Sequence, residues 1–236
     1  MGRPHQTLKF SELTLQRAHQ LKRPFTISTA YASAATLHYE RREPAAARDL
    51  AEAAIAVADE HGFEMHLARG RSVRGWVLAE SGQTAEGISE LEANAPRVLR
   101  RFREQVSEML AQAYLRAGSA DRAASTLDEA LSRSELAGMH FYGASLHRLK
   151  GEAILMRDSS MTAAAEECFR KAIAITRSQS AKSWELRATT SLARLLRDTG
   201  RRDEARTMLA KIYDWFTEGF DTADLKDAKA LLDELT

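Results

Sequence analysis

The sequence predicts an all-α chain, a right-handed superhelix of antiparallel helix hairpins with about 12 helices. Three observations carry this prediction. Apolar residues recur at helical spacing through segments of roughly 15 to 20 residues. Each segment stops at a Gly, a Pro or a short polar cluster, and these stops fall at a regular beat. With 12 Gly and 4 Pro in 236 residues there are few other breaks. No stretch alternates apolar and polar residues with enough β-branched content to form a sheet, so strands are expected to be absent. One long coiled coil would need an unbroken heptad, which Gly82, Gly118, Gly138 and Gly200 interrupt.

Taken in chain order, residues 1–23 read as the second helix of a truncated repeat: Gly2, Arg3 and Pro4 resemble an inter-helix turn, and one helix follows from about Gln6 to Lys22. Its Leu8, Leu15 and Leu21 are expected to be only partly covered, and the missing first half implies that the chain is part of something longer. Residues 24–62 form a hairpin with Ala34, Ala35 and His38 on one helix, a turn at Arg42 to Pro44, and Ala47, Ala51 and Ala54 on the next. In residues 63–100 the same positions hold Gly75 and Leu78, a turn at Gly82, then Gly87 and Leu91. Residues 101–138 place Leu110, Ala111 and Tyr114 before Gly118, with Ala123, Leu127 and Ala130 after it. Residues 139–180 carry Gly151 and Ile154, a turn from Arg157 to Met161 with about two extra residues, then Ala165, Phe169 and Ala172. Residues 181–216 return to the shorter register: Leu192, Ala193 and Leu196, Gly200, then Ala205, Leu209 and Ile212. Residues 217–236 read as a C-terminal capping helix, opened by Asp221 and Thr222, with Asp224 in its first turn and Leu225, Ala228, Leu231, Leu232 and Leu235 on one face. Trp215, Phe216 and Phe220 are expected to seal the last hairpin against it. All of this is read as one repeat domain spanning 1–236.

A period near 34 residues, with a small residue in each helix where a pair crosses, is the signature of tetratricopeptide-type repeats. The small residues let two backbones approach, and larger neighbours such as Tyr114 and Leu127 fill the volume beside the crossing.

Composition excludes several function classes. Lys and Arg number 34 against 33 Asp and Glu, a net charge of +1, so no global field draws the chain to nucleic acid or to anionic lipid. No apolar run approaches the roughly 20 residues that span a bilayer, and the N-terminus lacks the apolar core of a signal peptide. The single Cys168 forms no intrachain disulfide, which suits a cytoplasmic setting.

Chemistry-bearing patterns are equally sparse. His140 and His147 are two helical turns apart, and His61 and His66 straddle a turn, so neither pair has the spacing of a helical metal clamp. They read as surface or packing residues, and no metal or cofactor is expected. Cys168 lies beside Phe169 on a packing helix and reads as an inert thiol. Glu166 and Glu167 occupy adjacent helical positions and do not converge. No Ser sits in a GxSxG turn.

The candidate partner surface is the inner face of the first helix of each pair: Arg69 and Trp76, Gln105 and Gln112, Arg148 and Glu152, and Arg187, Arg194 and Arg197. Guanidinium groups capture carboxylates in a bidentate manner, so acidic protein or peptide segments are the ligand class this set fits. The same arginines also suit a solvated face paired with nearby Asp and Glu. On the first reading, removing Arg187, Arg194 and Arg197 together weakens association and leaves folding almost untouched.

Three segments carry a family resemblance: Leu146 to Leu155, Ala165 to Arg206, and Tyr213 to Leu235, with the run WFTEGFDT the most distinctive and Arg74 to Leu91 in agreement. They resemble the C-terminal tetratricopeptide-like repeat region of bacterial predicted signalling ATPases, many known as adenylate or guanylate cyclases. That resemblance implies an interaction or regulatory arm, without enzymatic activity of its own, of a larger nucleotide-dependent signalling protein. The family's catalytic equipment does not carry over: no GxxxxGK phosphate loop and no cyclase metal-binding aspartates occur here. The resemblance implies a protein or peptide partner, the ATPase region among them; the balanced charge and lack of a spanning run point to no nucleic acid and no membrane, and the uncovered N-terminal helix points to self-association. The alternative is a sensor domain that binds a small molecule or peptide inducer in the superhelix groove.

Overall fold

A computed structural model describes residues 4–137 and 141–236. Gly2, Arg3, Gly138 and His140, singled out above, lie outside the described residues. Twelve α-helices and two 3₁₀ turns are present among the described residues, and no strand is. They gather into two compact units, one of Gln6–Ser119 and one chiefly of Ala120–Thr236.

The N-terminal unit contains α1 (Pro4–Leu21), α2 (Pro24–Glu40), α3 (Pro44–Glu60), α4 (Glu64–Glu80), α5 (Thr84–Asn94), 3₁₀ turns at Ala95–Arg97 and Arg100–Phe102, and α6 (Arg103–Arg116). Pro24 and Pro44 open α2 and α3, where a missing N–H costs no intrahelical bond. Helices α2 and α3 meet through alanines: Ala35, Ala47 and Ala51 are fully buried in a core with Tyr39, Trp76 and Leu91. At the α4–α5 crossing even Ala would be too large. A Cβ on Gly75 would lie 3.0 Å from the Gly87 carbonyl oxygen, and one on Gly87 would lie 2.7 Å from the Ala79 backbone nitrogen. Two glycines therefore set this interhelical distance.

The C-terminal unit contains α7 (Ala120–Ala137), α8 (Gly143–Arg157), α9 (Thr162–Ser178), α10 (Lys182–Asp198), α11 (Arg202–Tyr213) and α12 (Ala223–Glu234). Phe169 of α9 lies flat against Gly151 of α8, where any Cβ would sit 2.6 Å from its ring. Leu192, Ala193 and Leu196 of α10 face Ala205, Leu209 and Ile212 of α11 in one core, and α12 adds Leu225, Ala228, Leu231 and Leu235 to it.

Six turns share one geometry. In each, three residues separate two helices, and the third donates its N–H to a carbonyl five residues back. The pairs are Glu43 to His38, Phe63 to Ala58, Gln83 to Leu78, Ser119 to Tyr114, Ala181 to Thr176, and Arg201 to Leu196, at 2.7 to 3.0 Å. The middle residue must be left-handed. Gly82 and Gly200 take φ of 91° and 81° at no steric cost, whereas Arg42 and Ser180 hold 60° and 54° without that freedom.

Three expectations need correction. The α8–α9 turn, Asp158 to Met161, is one residue longer than the others rather than two. Thr222 is the N-cap of α12 by backbone geometry, but its hydroxyl donates to the Gly219 carbonyl at 2.7 Å instead of accepting from the helix. Of the three aromatics expected to seal the last hairpin only Phe216 is buried, while Trp215 and Phe220 are exposed.

Candidate partner-binding surface

In the N-terminal unit α2, α4 and α6 lie side by side as alternate helices of the array, and four of the nine candidate residues fall there. Trp76 is 2% exposed and belongs to the core. Its indole N–H donates to Gln112 Oε1 at 3.2 Å, while the Gln112 amide donates to the Tyr39 hydroxyl at 3.0 Å. Tyr39 meets Trp76 edge to face. This chain of bonds ties all three helices together, so Trp76 and Gln112 are spent on alignment of the layer. Gln105 is buried, and its Nε2 has no hydrogen-bond partner. Arg69 donates to Thr36 Oγ1 at 3.4 Å, and its guanidinium lies 4.2 Å from the centre of the Phe102 ring.

In the C-terminal unit the arginines have diverse fates. Arg148 bonds Glu152 one helical turn away at 2.6 Å, and Ser191 donates to the same Glu152 oxygen. Arg187 grips Asp224 of α12 through Nε and a terminal nitrogen at 3.0 and 2.7 Å, both side chains being largely buried. Arg197 pairs with Asp198 and with Glu234, at the far end of α12. The two long-range pairs fall ten residues apart on each helix, so α10 and α12 run parallel and are bridged near both ends. Arg187 is therefore not separable from folding, contrary to the expectation for the arginine stripe. Sequence reasoning missed this because the partners of Arg187 and Arg197 lie 37 residues downstream.

Arg194 differs. It is exposed, and among the described residues it has neither a hydrogen bond nor an ion pair. It lines a groove of about 480 Å³ between α8 and α10, floored by Leu155 and Leu195 and edged by Glu152, Ser191 and Asp198. Both carboxylates already have guanidinium partners, Arg148 and Arg197. The groove is left with one unmatched positive charge over an apolar floor, an arrangement that suits a carboxylate on an apolar neighbour.

The remaining chemistry is quiet. Among the described residues no group of three or more His, Cys, Asp or Glu is placed to hold a metal ion. Burial pushes the Cys168 thiol up, away from the reactive thiolate. Burial, with Lys171 and Lys150 nearby, pushes the His147 imidazole down to about 4, so it is neutral at pH 7. Among the described residues no helix is long and apolar enough to cross a membrane.

The fold is an all-helical array whose structural neighbours are tetratricopeptide-like repeat proteins. A tetratricopeptide repeat family model matches residues 106–129 and 186–211. Among solved structures, the chain is similar to a putative kinesin light chain with nearly identical TPR-like repeats from Podosopora anserina, at 18% identity and a TM-score of 0.54, covering 79% of this chain and 93% of that one. It is also similar to BtubC (BKLC) from P. vanneervenii, at 14% identity and 0.58, with 90% of each chain covered. A third similar structure is the apo form of RapI, at 12% identity and 0.53, covering 95% and 94%. No curated protein matches the sequence.

Proposed function

We propose that the chain is a non-catalytic interaction or regulatory module that binds a protein or peptide, with the α8–α10 groove around Arg194 as a contact surface. The observation that carries this reading is an unmatched guanidinium in a groove lined by Leu155 and Leu195, on a scaffold where Arg148, Arg187 and Arg197 are already paired. The matches to tetratricopeptide repeats support the protein-binding class. The resemblance of Tyr213 to Leu235 to signalling ATPases supports the finer reading, a cytoplasmic C-terminal arm of a nucleotide-dependent signalling protein whose ATPase region is the natural first partner. Self-association through α1 belongs to the same proposal, since its Phe10 and Leu13 are exposed.

The test is calorimetric titration of the chain with a nucleotide-binding region of the signalling-ATPase type, comparing wild type with Arg194→Ala. A loss of about tenfold in affinity with an unchanged unfolding midpoint is expected. Equal affinity for the two proteins would move the contact away from this groove. A small-molecule sensor is the second reading, favoured by the groove volume of about 480 Å³; it predicts metabolite binding that Arg194→Ala abolishes.

A further inference from the structure

The connection between α5 and α6 departs from the common turn. Two 3₁₀ turns, Ala95–Arg97 and Arg100–Phe102, replace the three-residue joint. Between Ala95 and Arg103 the sequence carries Arg97, Arg100, Arg101 and Arg103 and no acidic residue. All four arginines are exposed, and among the described residues none has a side-chain hydrogen bond or an ion pair. Several arginines elsewhere are consumed in pairs: Arg74 with Glu90, Arg116 with Glu80, Arg170 with Glu166 and Glu204, Arg201 with Glu166. A chain of net charge +1 thus concentrates four unmatched positive charges in one short segment.

Phe102 organises this segment. The Arg101 guanidinium lies 4.7 Å from its ring centre, and that of Arg69 from α4 lies 4.2 Å from the same centre. The ring thus holds the Arg69 guanidinium close to that of the exposed Arg101, which raises the local positive charge. Beside them Leu99 is 41% exposed while Val98 is buried and anchors the segment.

We infer that the Arg97–Arg103 segment is a docking site for an acidic protein segment bearing apolar side chains. The inference rests on reading the chain as a protein-binding module. Charge complementarity selects an anionic occupant, and planar guanidinium forks match carboxylates. The apolar contact offered by Leu99 suits a peptide side chain. A single-stranded nucleic acid would gain most from an open aromatic face for base stacking, and the Phe102 ring is already engaged by guanidinium groups. A membrane surface would need a longer amphipathic helix than this irregular segment provides.

The experiment is fluorescence anisotropy of the full chain with a labelled peptide of alternating glutamate and leucine, at about 50 and about 300 mM salt. Wild type is expected to bind and to lose affinity steeply at the higher salt. A variant with Arg97, Arg100, Arg101 and Arg103 all changed to Gln should bind at least about tenfold more weakly at low salt, with unchanged helical circular dichroism. The matching Lys variant should recover part of the binding, because charge returns without the fork. Binding equal to wild type in the Gln variant, or no binding by wild type, overturns the site. So does tighter, Gln-sensitive binding to a single-stranded RNA or to phosphatidylserine vesicles under the same conditions. If Arg194→Ala abolishes peptide binding and the Gln variant does not, this site fails while the groove reading stands.

Discussion

Gly87 shows how much a single hydrogen atom can decide. A Cβ at this position meets the backbone of α4 rather than a yielding side-chain tip, so the helices have to separate. Gly87→Ala is expected to destabilise the chain by about 1 to 3 kcal/mol through overpacking, and a denaturant midpoint equal to wild type would contradict the crossing. Ala at exposed Gln83, three residues outside α4, is the silent control. His147 gives a pH signature of the opposite origin. An unfolded His takes up its proton near about 6.5, whereas the folded one does so only at about 4. Between these values the unfolded state binds more protons, so stability falls as pH drops through this window and is fully present above it. His147→Leu should flatten that part of the stability profile measured by denaturant titration from pH 7.5 downward. An unchanged slope would show that the imidazole titrates normally.

Among the elements, turns and the terminal helix carry the clearest consequences. Ser180 holds a left-handed conformation that costs an L-residue roughly 1 to 2 kcal/mol, and it is exposed. Ser180→Gly should raise the thermal midpoint if relief of this strain outweighs the added chain entropy, with a net gain on the order of 0.5 kcal/mol. A lower midpoint would refute the balance. For α12, the Arg187–Asp224 pair is largely buried, and removal of one partner strands the other. Arg187→Ala is expected to cost about 3 kcal/mol and to expose α12 amides to hydrogen exchange before those of α10. Arg194→Ala, in the same helix, should leave both measurements unchanged. The small residues at crossings were legible in the sequence because each is encoded within its own helix: Gly75, Gly87, Gly151 and the alanines of α2 and α3 declare the fold locally. The arginine pairings were not, because Arg187 and Asp224 are distant in sequence and meet only once α10 and α12 run parallel. The segment from Arg97 to Arg103 is visible in the letters, yet a balanced net charge says nothing of where charges cluster. The cap of α12 failed for a similar reason: Thr222 has two possible partners for one hydroxyl, and the nearer loop carbonyl wins.

Across the whole molecule, charge is balanced in the sum but not in its distribution. Ion pairs such as Arg170 with Glu204 and Arg201 with Glu166 connect α9 to α11 and to the turn before it at the surface, where each contributes little and salt screens it. Moderate salt is therefore expected to leave the unfolding midpoint nearly unchanged while it weakens binding at Arg194 or at the α5–α6 connection. The six turns closed by the same backbone bond have a further consequence, for descent rather than for stability. Because helices within each unit leave and enter these joints in the same way, a helix pair bounded by two of them can be duplicated or lost by recombination without a new connection having to evolve. The irregular joint before α6 and the longer one before α9 are two of the places where that interchange would be refused, and repeat number in such a lineage should drift around them.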